Sequence, residues 1–287
     1  QLCTLGGGNH FLEIDVVDEI FDSTIARTFG LFEQQVAILL HTGSRGLGYQ
    51  VCDDYLKIIQ KEFAKGNISS SNSQLAGVPI NSPKGIAYYS AMSGAANYAW
   101  ANRQIITHFI REIFQSILSM SPRDLGMDLV YDLSHNIAKK EQHIVDGKKQ
   151  TLCVHRKGAT RAFGPGHHSL PLEYQHTGQP VIVPGDMGNA SYVLCGTQTA
   201  MEKTFGSACH GAGRILSRSA AKKAARGRSL LEELEEKGII VRYRGRATLA
   251  EEMPDAYKNI SDVVEVIVQA GIAKKVARLR PLGVIKG

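Results

Sequence analysis

The sequence has few cysteines, no long apolar run and no recognisable export signal. Its five cysteines are scattered without a CxxC pair, which argues against a disulfide framework and favours a reducing compartment. Its apolar stretches are short and interrupted, so we expect no membrane span. No basic start followed by an apolar block and a cleavage site is present. These absences favour a cytoplasmic protein, and its 287 residues are enough for a real core.

Charge is spread unevenly along the chain. The whole sequence carries a net charge of +6, but residues 201–287 contain 17 basic and 10 acidic side chains, a net +7. Residues 1–55 instead contain eight acidic side chains against Arg27 and Arg45. The basic last third would steer a polyanion such as RNA or a nucleotide toward itself, whereas the acidic start suits a region that holds cations.

The first half of the chain is predicted to contain both strands and helices. Residues 11–17 alternate in the manner of a strand, and residues 36–41 form a short apolar run of strand length. Helices are predicted over about 50–65 and 88–119. A loop rich in Ser, Asn, Gly and Pro is expected at 66–85 between them.

The second half predicts short strands that end in glycine-rich loops. Residues 128–136 and 151–166 each favour a strand running into a loop, and residues 180–194 favour a strand, a turn and a strand. A helix is expected immediately after the glycines of HGAGR at 210–214, followed by an amphipathic helix and a strand over 229–245. This mixture lacks a regular βαβ alternation, so we predict an α+β fold of mixed sheets and packed helices. With no internal repeat or linker, residues 1–287 are treated as a single large catalytic domain.

Four histidines lie in runs of Gly, Ser, Asn and Arg. These runs are GGGNHF at 6–11, HTGSRGLG at 41–48, DLSHN at 132–136 and CHGAGR at 209–214. A histidine framed by glycines sits where the backbone turns sharply or approaches a ligand. Imidazole can ligate a metal, carry a proton or attack as a nucleophile, and the small neighbours supply N–H groups suited to phosphate. We therefore interpret the four runs as parts of one site.

His10, His41 and His135 are candidate metal ligands. Each is predicted at a junction between a strand and a loop, where the active sites of sheet-containing enzymes are commonly built. Three imidazoles suit Zn, Mn, Co or Ni. The competing interpretation is that each is an ordinary surface or core histidine, since spacing alone proves nothing.

His210 is a candidate nucleophile. If a helix starts directly after it, Arg214, Arg218 and Lys222 fall on one helix face, and the first-turn N–H groups add a positive dipole end. An imidazole beside such groups is placed to attack phosphorus or to carry a nucleotidyl group. The alternative is that His210 only caps a loop and the basic face is solvated. HTGSRGLG and HRKGATRAFGPG also resemble anion-binding loops, but neither has the P-loop spacing.

Seven motifs in order resemble one known family. TLGGGNHFLEI, HTGSRGLG, YDLSHNIAK, VHRKGATRAFGPG, VPGDMGNASYVL, CHGAGR and the terminal LRPLGVIKG are similar to the RNA-splicing ligase family RtcB over essentially the whole chain. The resemblance implies a GTP- and Mn-dependent ligase that joins an RNA 2′,3′-cyclic phosphate or 3′-phosphate end to a 5′-hydroxyl end. The RNA would be tRNA halves or broken RNA, and an archease-like protein is a conceivable activator.

The resemblance also assigns roles to residues. His10, His41 and His135 would bind metal, with two Mn ions in the complete protein, and His210 would become guanylylated. Arg45, Arg214 and Arg218 would bind the phosphates of RNA or of the triphosphate. Asn9 and Asn136 would flank the nucleotide phosphates. The guanine nucleoside would be bound by Phe11, Glu13, Ser191, Ala212, Gly213, Tyr257 and Lys286.

The family carries two further metal ligands, an Asp and a Cys, on a motif upstream of the GGGNH loop. This sequence starts at Gln1, directly before that loop, so we expect an N-terminal region to be missing and metal binding to be impaired. Two other functions stay open from the residues. A metal-dependent phosphoesterase would use the same histidines and arginines without a guanine pocket, and an inactive fragment would bind RNA only as a basic module.

Overall fold

The computed structural model describes residues 1–65 and 76–287, which form two compact units. The helical unit comprises Gln1–Leu5 and Thr42–Met127, and the sheet unit comprises Gly6–His41 and Asp128–Gly287. Mixed helices and antiparallel strands confirm the predicted α+β class. None of the described helices has the length and apolar content needed to cross a membrane.

A mixed six-stranded sheet organises the sheet unit. Its strands follow the order β2-β1-β10-β7-β6, and β9 pairs in parallel with β10 while the other pairs are antiparallel. The strands are β1 (Phe11–Ile20), β2 (Val36–His41), β6 (Pro180–Val183), β7 (Ser191–Gly196), β9 (Ile240–Tyr243) and β10 (Ala273–Lys286). The predicted strands at 11–17, 36–41, 180–194 and 239–245 are therefore confirmed.

Two smaller antiparallel ribbons lie outside this sheet in the sheet unit. The first pairs β3 (Asn136–Val145) with β4 (Lys148–Lys157), and the second pairs β5 (Ala159–Arg161) with β8 (Ser207–Cys209). The prediction of a strand running into a loop at 128–136 is wrong, because these residues are irregular and β3 starts where they end. The hydroxyl of Tyr174 donates a 2.8 Å hydrogen bond to the Val130 carbonyl there, in place of a strand partner.

Six helices of the sheet unit are short. They are α1 (Ser23–Thr28), α4 (Gln198–Thr204), α5 (Arg218–Ala224), α6 (Leu230–Glu235), α7 (Arg246–Glu251) and α8 (Ile260–Gln269). The predicted amphipathic helix over 229–238 is α6, and Gly238 beyond its end has a φ of 76°. Buried apolar residues from β1, β10 and the helices α1, α5, α6 and α7 contribute to the main core, in which Val17, Val276 and Met253 are fully buried.

The helix predicted directly after HGAGR starts later than expected. Helix α5 begins at Arg218, because Ser217 caps it by accepting a 3.1 Å hydrogen bond from the Ala220 N–H. Arg214 precedes the helix in an isolated bridge with Tyr257. The predicted helix face of Arg214, Arg218 and Lys222 is therefore wrong, and only the last two share a helix. Residues 211–217 therefore separate His210 from the first turn of α5 in the sequence.

The helical unit is built on two long helices, α2 (Arg45–Lys65) and α3 (Pro83–Leu118). Both start about five residues before the predicted bounds, and Ser82 caps α3 ahead of Pro83. The fully buried Asn102 of α3 accepts from the Thr4 N–H at 3.2 Å and donates to the Gly43 carbonyl at 3.2 Å. Of the predicted loop at 66–85, residues 66–75 lie outside the described residues.

Candidate active site

A cleft of about 230 Å³ opens in the sheet unit beside the ends of β1, β2 and β10. It gathers residues that are distant in sequence, since β1 lies between β2 and β10 in the sheet. Most of the residues predicted to bind nucleotide, phosphate or metal, or to act as the nucleophile, line it. They are Asn9, Phe11, Glu13, His41, His210, Ala212, Gly213, Arg214, Arg218, Tyr257 and Lys286.

The four predicted histidines come together at this cleft. The ring centroids of His10 and His41 are 5.9 Å apart, those of His41 and His135 are 5.1 Å apart, and those of His135 and His210 are 4.4 Å apart. His41 ends β2, while His10 and His135 directly precede β1 and β3. Strand ends thus place all four imidazoles in one row, as the glycine-rich contexts predicted.

The ring of His210 has a defined orientation. Its Nδ1 lies 2.7 Å from the carbonyl oxygen of Gly158, and a carbonyl can only accept, so Nδ1 carries the proton. Gly158 has a φ of 66°, and a Cβ there would lie 3.4 Å from Cε1 of the imidazole. Glycine therefore lets the backbone reach the ring. The neutral tautomer leaves the lone pair on Nε2, and burial lowers the pKa of His210.

His41 and His135 form the closest histidine pair, with their Nε2 atoms 3.0 Å apart. Burial, with a further contribution from the other histidines, holds the pKa of His41 well below its ordinary value, and burial lowers that of His135 to about 4. Both rings are therefore neutral near pH 7. Two nitrogens at about 2.0–2.1 Å from one cation lie about 2.9–3.4 Å apart at ligand angles between square and tetrahedral. The pair fits two adjacent ligands of a metal ion.

A third ligand does not join this pair in the structure. Among residues 1–65 and 76–287, no group of three or more His, Cys, Asp or Glu side chains has the arrangement of a metal site. His10 lies beside His41 at ring-contact distance. The chemistry of the donor set therefore fits a metal through His41 and His135, with other ligands needed to complete its coordination.

Glu13 is the buried carboxylate of the cleft. It is 3% exposed, and the Ser191 hydroxyl lies 3.5 Å from its Oε2. Ser191 also accepts a 3.1 Å hydrogen bond from the Gly185 N–H, which ties it to the turn between β6 and β7. Burial, followed by the negative charge of Asp15, raises the pKa of Glu13 well above its ordinary value. A ligand that donates hydrogen bonds to this carboxyl group would favour its ionised form.

Lys286 supplies a buried positive charge near Glu13. It is 5% exposed, its Nζ donates to the Gly8 carbonyl at 3.3 Å, and Nζ lies 5.5 Å from the centroid of the Phe11 ring. Burial lowers the pKa of Lys286, while the neighbouring carboxylates Glu252 and Glu13 oppose that shift. Phe11 also packs edge-on against His41 at 5.3 Å. An aromatic face, a carboxylate and an ammonium thus meet in one pocket.

The predicted phosphate-binding arginines have different surroundings. Arg214 donates from Nε to the Leu216 carbonyl, from NH1 to the Tyr257 hydroxyl and from NH2 to the Glu251 carbonyl. It is largely committed to internal hydrogen bonds. Arg218 lines the cleft with a side chain that is 62% exposed, and its closest carboxylate oxygens are 3.8 and 3.9 Å away. Arg218 is therefore the better placed of the two for a phosphate.

Five of the predicted residues do not line the cleft, namely His10, His135, Ser191, Arg45 and Asn136. Arg45 belongs to the helical unit, where its Nε donates to the Thr4 hydroxyl at 3.2 Å. Asn136 starts β3 next to His135, and its Oδ1 accepts a 3.3 Å hydrogen bond from the Gly158 N–H. Asn136 therefore helps to hold the Gly158 peptide that orients His210.

Several acidic residues in the cleft or next to Glu13 were not predicted from the sequence. Asp186 and Glu252 line it at 9% and 1% exposure, and the Tyr257 hydroxyl donates to Glu252. Asp186 lies in the VPGDMGN motif, so an acidic residue in that predicted turn could have been chosen as a candidate site residue. Asp15 is fully buried two residues after Glu13, and neither of its carboxyl oxygens has a hydrogen-bond partner. Nothing in a strand pattern marks such a residue.

Comparison with known proteins identifies the family. The family described as "tRNA-splicing ligase RtcB" matches residues 1–287. Proteins named tRNA-splicing ligase RtcB from Archaeoglobus fulgidus and Methanococcus maripaludis are 58% and 56% identical, over all of this chain and 60% of their own lengths. The one from Pyrococcus abyssi is 57% identical over all of this chain and 31% of its own length. The chain thus spans 31% to 60% of these relatives, and it belongs to the tRNA-splicing ligase RtcB family.

Proposed function

We propose that this chain carries the catalytic centre of a GTP- and manganese-dependent RNA ligase. It would join RNA 2′,3′-cyclic phosphate or 3′-phosphate ends to 5′-hydroxyl ends through a guanylyl-histidine intermediate, acting on tRNA halves or broken RNA. The family match and the relatives' name, tRNA-splicing ligase, support the ligase activity. The observation that carries the mechanism is the 2.7 Å contact between Nδ1 of His210 and the Gly158 carbonyl.

That contact supports Nε2 of His210 as the nucleophile. Because Nδ1 keeps its proton, the Nε2 lone pair is available without a base, and the lowered pKa keeps the ring neutral at physiological pH. Nε2 would attack the α-phosphorus of GTP, forming an N–P bond while the bond to the β-phosphate oxygen breaks. Pyrophosphate leaves, and GMP stays on the imidazole.

The remaining steps transfer GMP and then release it. At a 2′,3′-cyclic end, water would first attack the phosphorus and the bond to the 2′-oxygen would break, which leaves a 3′-phosphate and a 2′-hydroxyl. An oxygen of the RNA 3′-phosphate would then attack the phosphorus on His210, which breaks the N–P bond and activates the RNA end. The 5′-hydroxyl would then attack the activated 3′-phosphate, lose its proton and displace GMP. Arg218 and the Asn9 amide, both in the cleft, would bind phosphate oxygens during these displacements.

Histidines would hold the metal that this reaction needs. His41 and His135 supply neutral nitrogens 3.0 Å apart, and His10 lies next to them. When bound there, manganese would neutralise phosphate charge and polarise the phosphorus–oxygen bonds. The Asp and Cys ligands that the family resemblance implies would complete the coordination of the two ions.

The pocket around Glu13 would select the base. A carboxylate can accept hydrogen bonds from guanine N1–H and N2–H together, and adenine offers no such pair. Phe11 would stack on the base, the Ser191 hydroxyl would help to orient Glu13, and Ala212 and Gly213 would border the ribose. Lys286 supplies the positive charge that offsets the carboxylate.

We expect Glu13→Gln to weaken base selection, because it replaces an acceptor oxygen with a donor that faces the N–H groups of guanine. One mismatched buried pair costs about 1–3 kcal/mol, so the preference for GTP over ATP should fall about tenfold or more. Competition of the two nucleotides for covalent labelling of the protein measures this preference. Glu202→Gln, at an exposed carboxylate, is the matched control. Unchanged discrimination in Glu13→Gln would remove Glu13 from the base pocket.

Two other functions make different observable products. A metal-dependent phosphoesterase would open the cyclic phosphate or release phosphate, and it would carry no nucleotide on the protein. An RNA-binding fragment without catalysis would retain RNA and transfer no GMP. Joined RNA formed only with GTP present separates the ligase from both.

A further inference from the structure

The β3–β4 ribbon has two faces of different character. The pairs Asn136↔Lys157, Ala138↔His155, Lys140↔Cys153, Gln142↔Thr151 and Ile144↔Lys149 point to one side, because side chains alternate along a strand. We call these ten residues the open face. The intervening residues, which include Glu141, His143 and Arg156, point to the other side.

The other side holds the ribbon in the sheet unit. Arg156 and His143 are 3% and 4% exposed, and Arg156 donates to Glu141 from two nitrogens at 2.7 and 2.9 Å. Arg156 also donates to the Ser207 hydroxyl at 2.9 Å, at the start of β8. A buried ion pair and an interstrand hydrogen bond thus determine which face of the ribbon remains open.

The open face is basic along its whole length. It carries Lys140, Lys149 and Lys157 together with His155, and none of its ten residues is acidic. All four of these side chains are exposed, as are Gln142 and Thr151 between them. At about 3.3 Å per residue, the paired strands span about 30 Å. Three lysines over this length, with polar side chains between them, suit a polyphosphate chain.

One end of the open face meets the reacting histidine. Lys157 directly precedes Gly158, whose carbonyl contacts His210 at 2.7 Å, and Asn136 accepts from the Gly158 N–H at 3.3 Å. The far end, at Lys149, lies eight residues along β4 from Lys157, or about 26 Å. A chain held at His210 by its terminal phosphate could therefore continue over the ribbon.

We propose that the open face of the β3–β4 ribbon binds the RNA strand whose 3′-phosphate end is held at His210, with Lys140 and Lys149 contacting phosphates several nucleotides upstream of that end. This assignment rests on the proposed function for its choice of RNA end. Phosphate contacts by lysine hold the strand without reading its sequence. The face would thus increase the affinity for long RNA ends and not for the terminal nucleotide alone.

The test compares two double variants of equal charge. Lys140→Gln/Lys149→Gln removes two cations from the open face, whereas Lys148→Gln/Lys274→Gln removes two exposed cations that lie off it. Binding of a 3′-phosphorylated RNA of about 20 nucleotides is followed by fluorescence anisotropy over a salt series. We expect Kd of the open-face variant to rise about tenfold at low salt. The plot of log association constant against log salt concentration should become less steep, with the magnitude of its slope smaller by about 1.4.

The control variant should bind this RNA within twofold of the wild type. A dinucleotide with a 3′-phosphate, too short to reach Lys149, should bind both variants alike. Equal losses in the two variants, no loss in the open-face variant, or an equal loss for the dinucleotide would each overturn the assignment. Labelling of wild-type His210 by GTP needs no RNA, so its failure would count against the proposed function and not against this surface. Thermal unfolding midpoints within about 2 °C verify that both variants are folded.

Discussion

Arg156→Ala should lower the free energy of unfolding by about 3–5 kcal/mol, since it removes the arginine partner of the buried Glu141 carboxylate, which then keeps His143 beside it at 3.1 Å. The side chains of Arg156 and Glu141 are 1% and 8% exposed and share two hydrogen bonds. The same guanidinium donates to the Phe205 carbonyl at 2.9 Å and the Gly206 carbonyl at 3.3 Å. The substitution therefore also frees the turn that leads into β8.

Chemical denaturation of the variant and the wild type measures this loss. Arg226→Ala, at an exposed arginine outside any element, is the matched control and should change stability by about 0.5 kcal/mol or less. Arg156→Met combined with Glu141→Met removes both charges and should recover much of the loss. A single-variant loss below about 1 kcal/mol would mean that the ion pair does not support the ribbon.

Asp15→Asn should stabilise the protein at pH 8 and make its stability less dependent on pH. Burial raises the pKa of Asp15 from 3.8 to about 7 in the folded chain. The folded state therefore binds a proton that the unfolded state has lost, and the stability from this group disappears as the pH rises from about 4 to about 7. The full interval corresponds to an upper limit of about 4 kcal/mol. An amide cannot ionise, so the variant avoids this loss.

The comparison must be made as a difference between variant and wild type at each pH. The buried histidines His41 and His135 have lowered pKa values and act in the opposite direction, because they lose stability as the pH falls. Their contribution is common to both proteins and cancels. Urea unfolding from pH 4.5 to pH 8 should therefore show the variant gaining on the wild type as the pH rises. Parallel curves would mean that Asp15 is ionised throughout.

Strand positions could be predicted well from the sequence, because alternation and apolar runs are local properties. The bounds of β2 at 36–41 agree with the prediction, and β1 starts at Phe11 as predicted. Which side of each strand is buried could not be predicted in the same way. In β1 the side that carries Glu13 and Asp15 is the buried one, which inverts the usual expectation for acids. For Glu13 the tertiary pocket, with Lys286 from the other end of the chain, explains that inversion, whereas neither carboxyl oxygen of Asp15 has a hydrogen-bond partner.

The sequence indicated which histidines belong to the cluster, but it did not indicate how their rings are oriented. Glycine-rich contexts marked His10, His41, His135 and His210, and the structure brings them together. The contact that orients His210 comes from the Gly158 carbonyl, 52 residues away in sequence, so no local pattern indicates it. The late start of α5 follows from the Ser217 cap, which competes with the glycines as a start signal.

Intact-mass analysis after incubation with GTP and manganese tests the proposal that Nε2 of His210 accepts GMP. We expect one added GMP per chain, located at His210 by peptide mapping and absent from His210→Ala. His176→Ala, at a histidine outside the cleft, should keep the adduct. An adduct that persists in His210→Ala, or one mapped to another residue, would contradict the account.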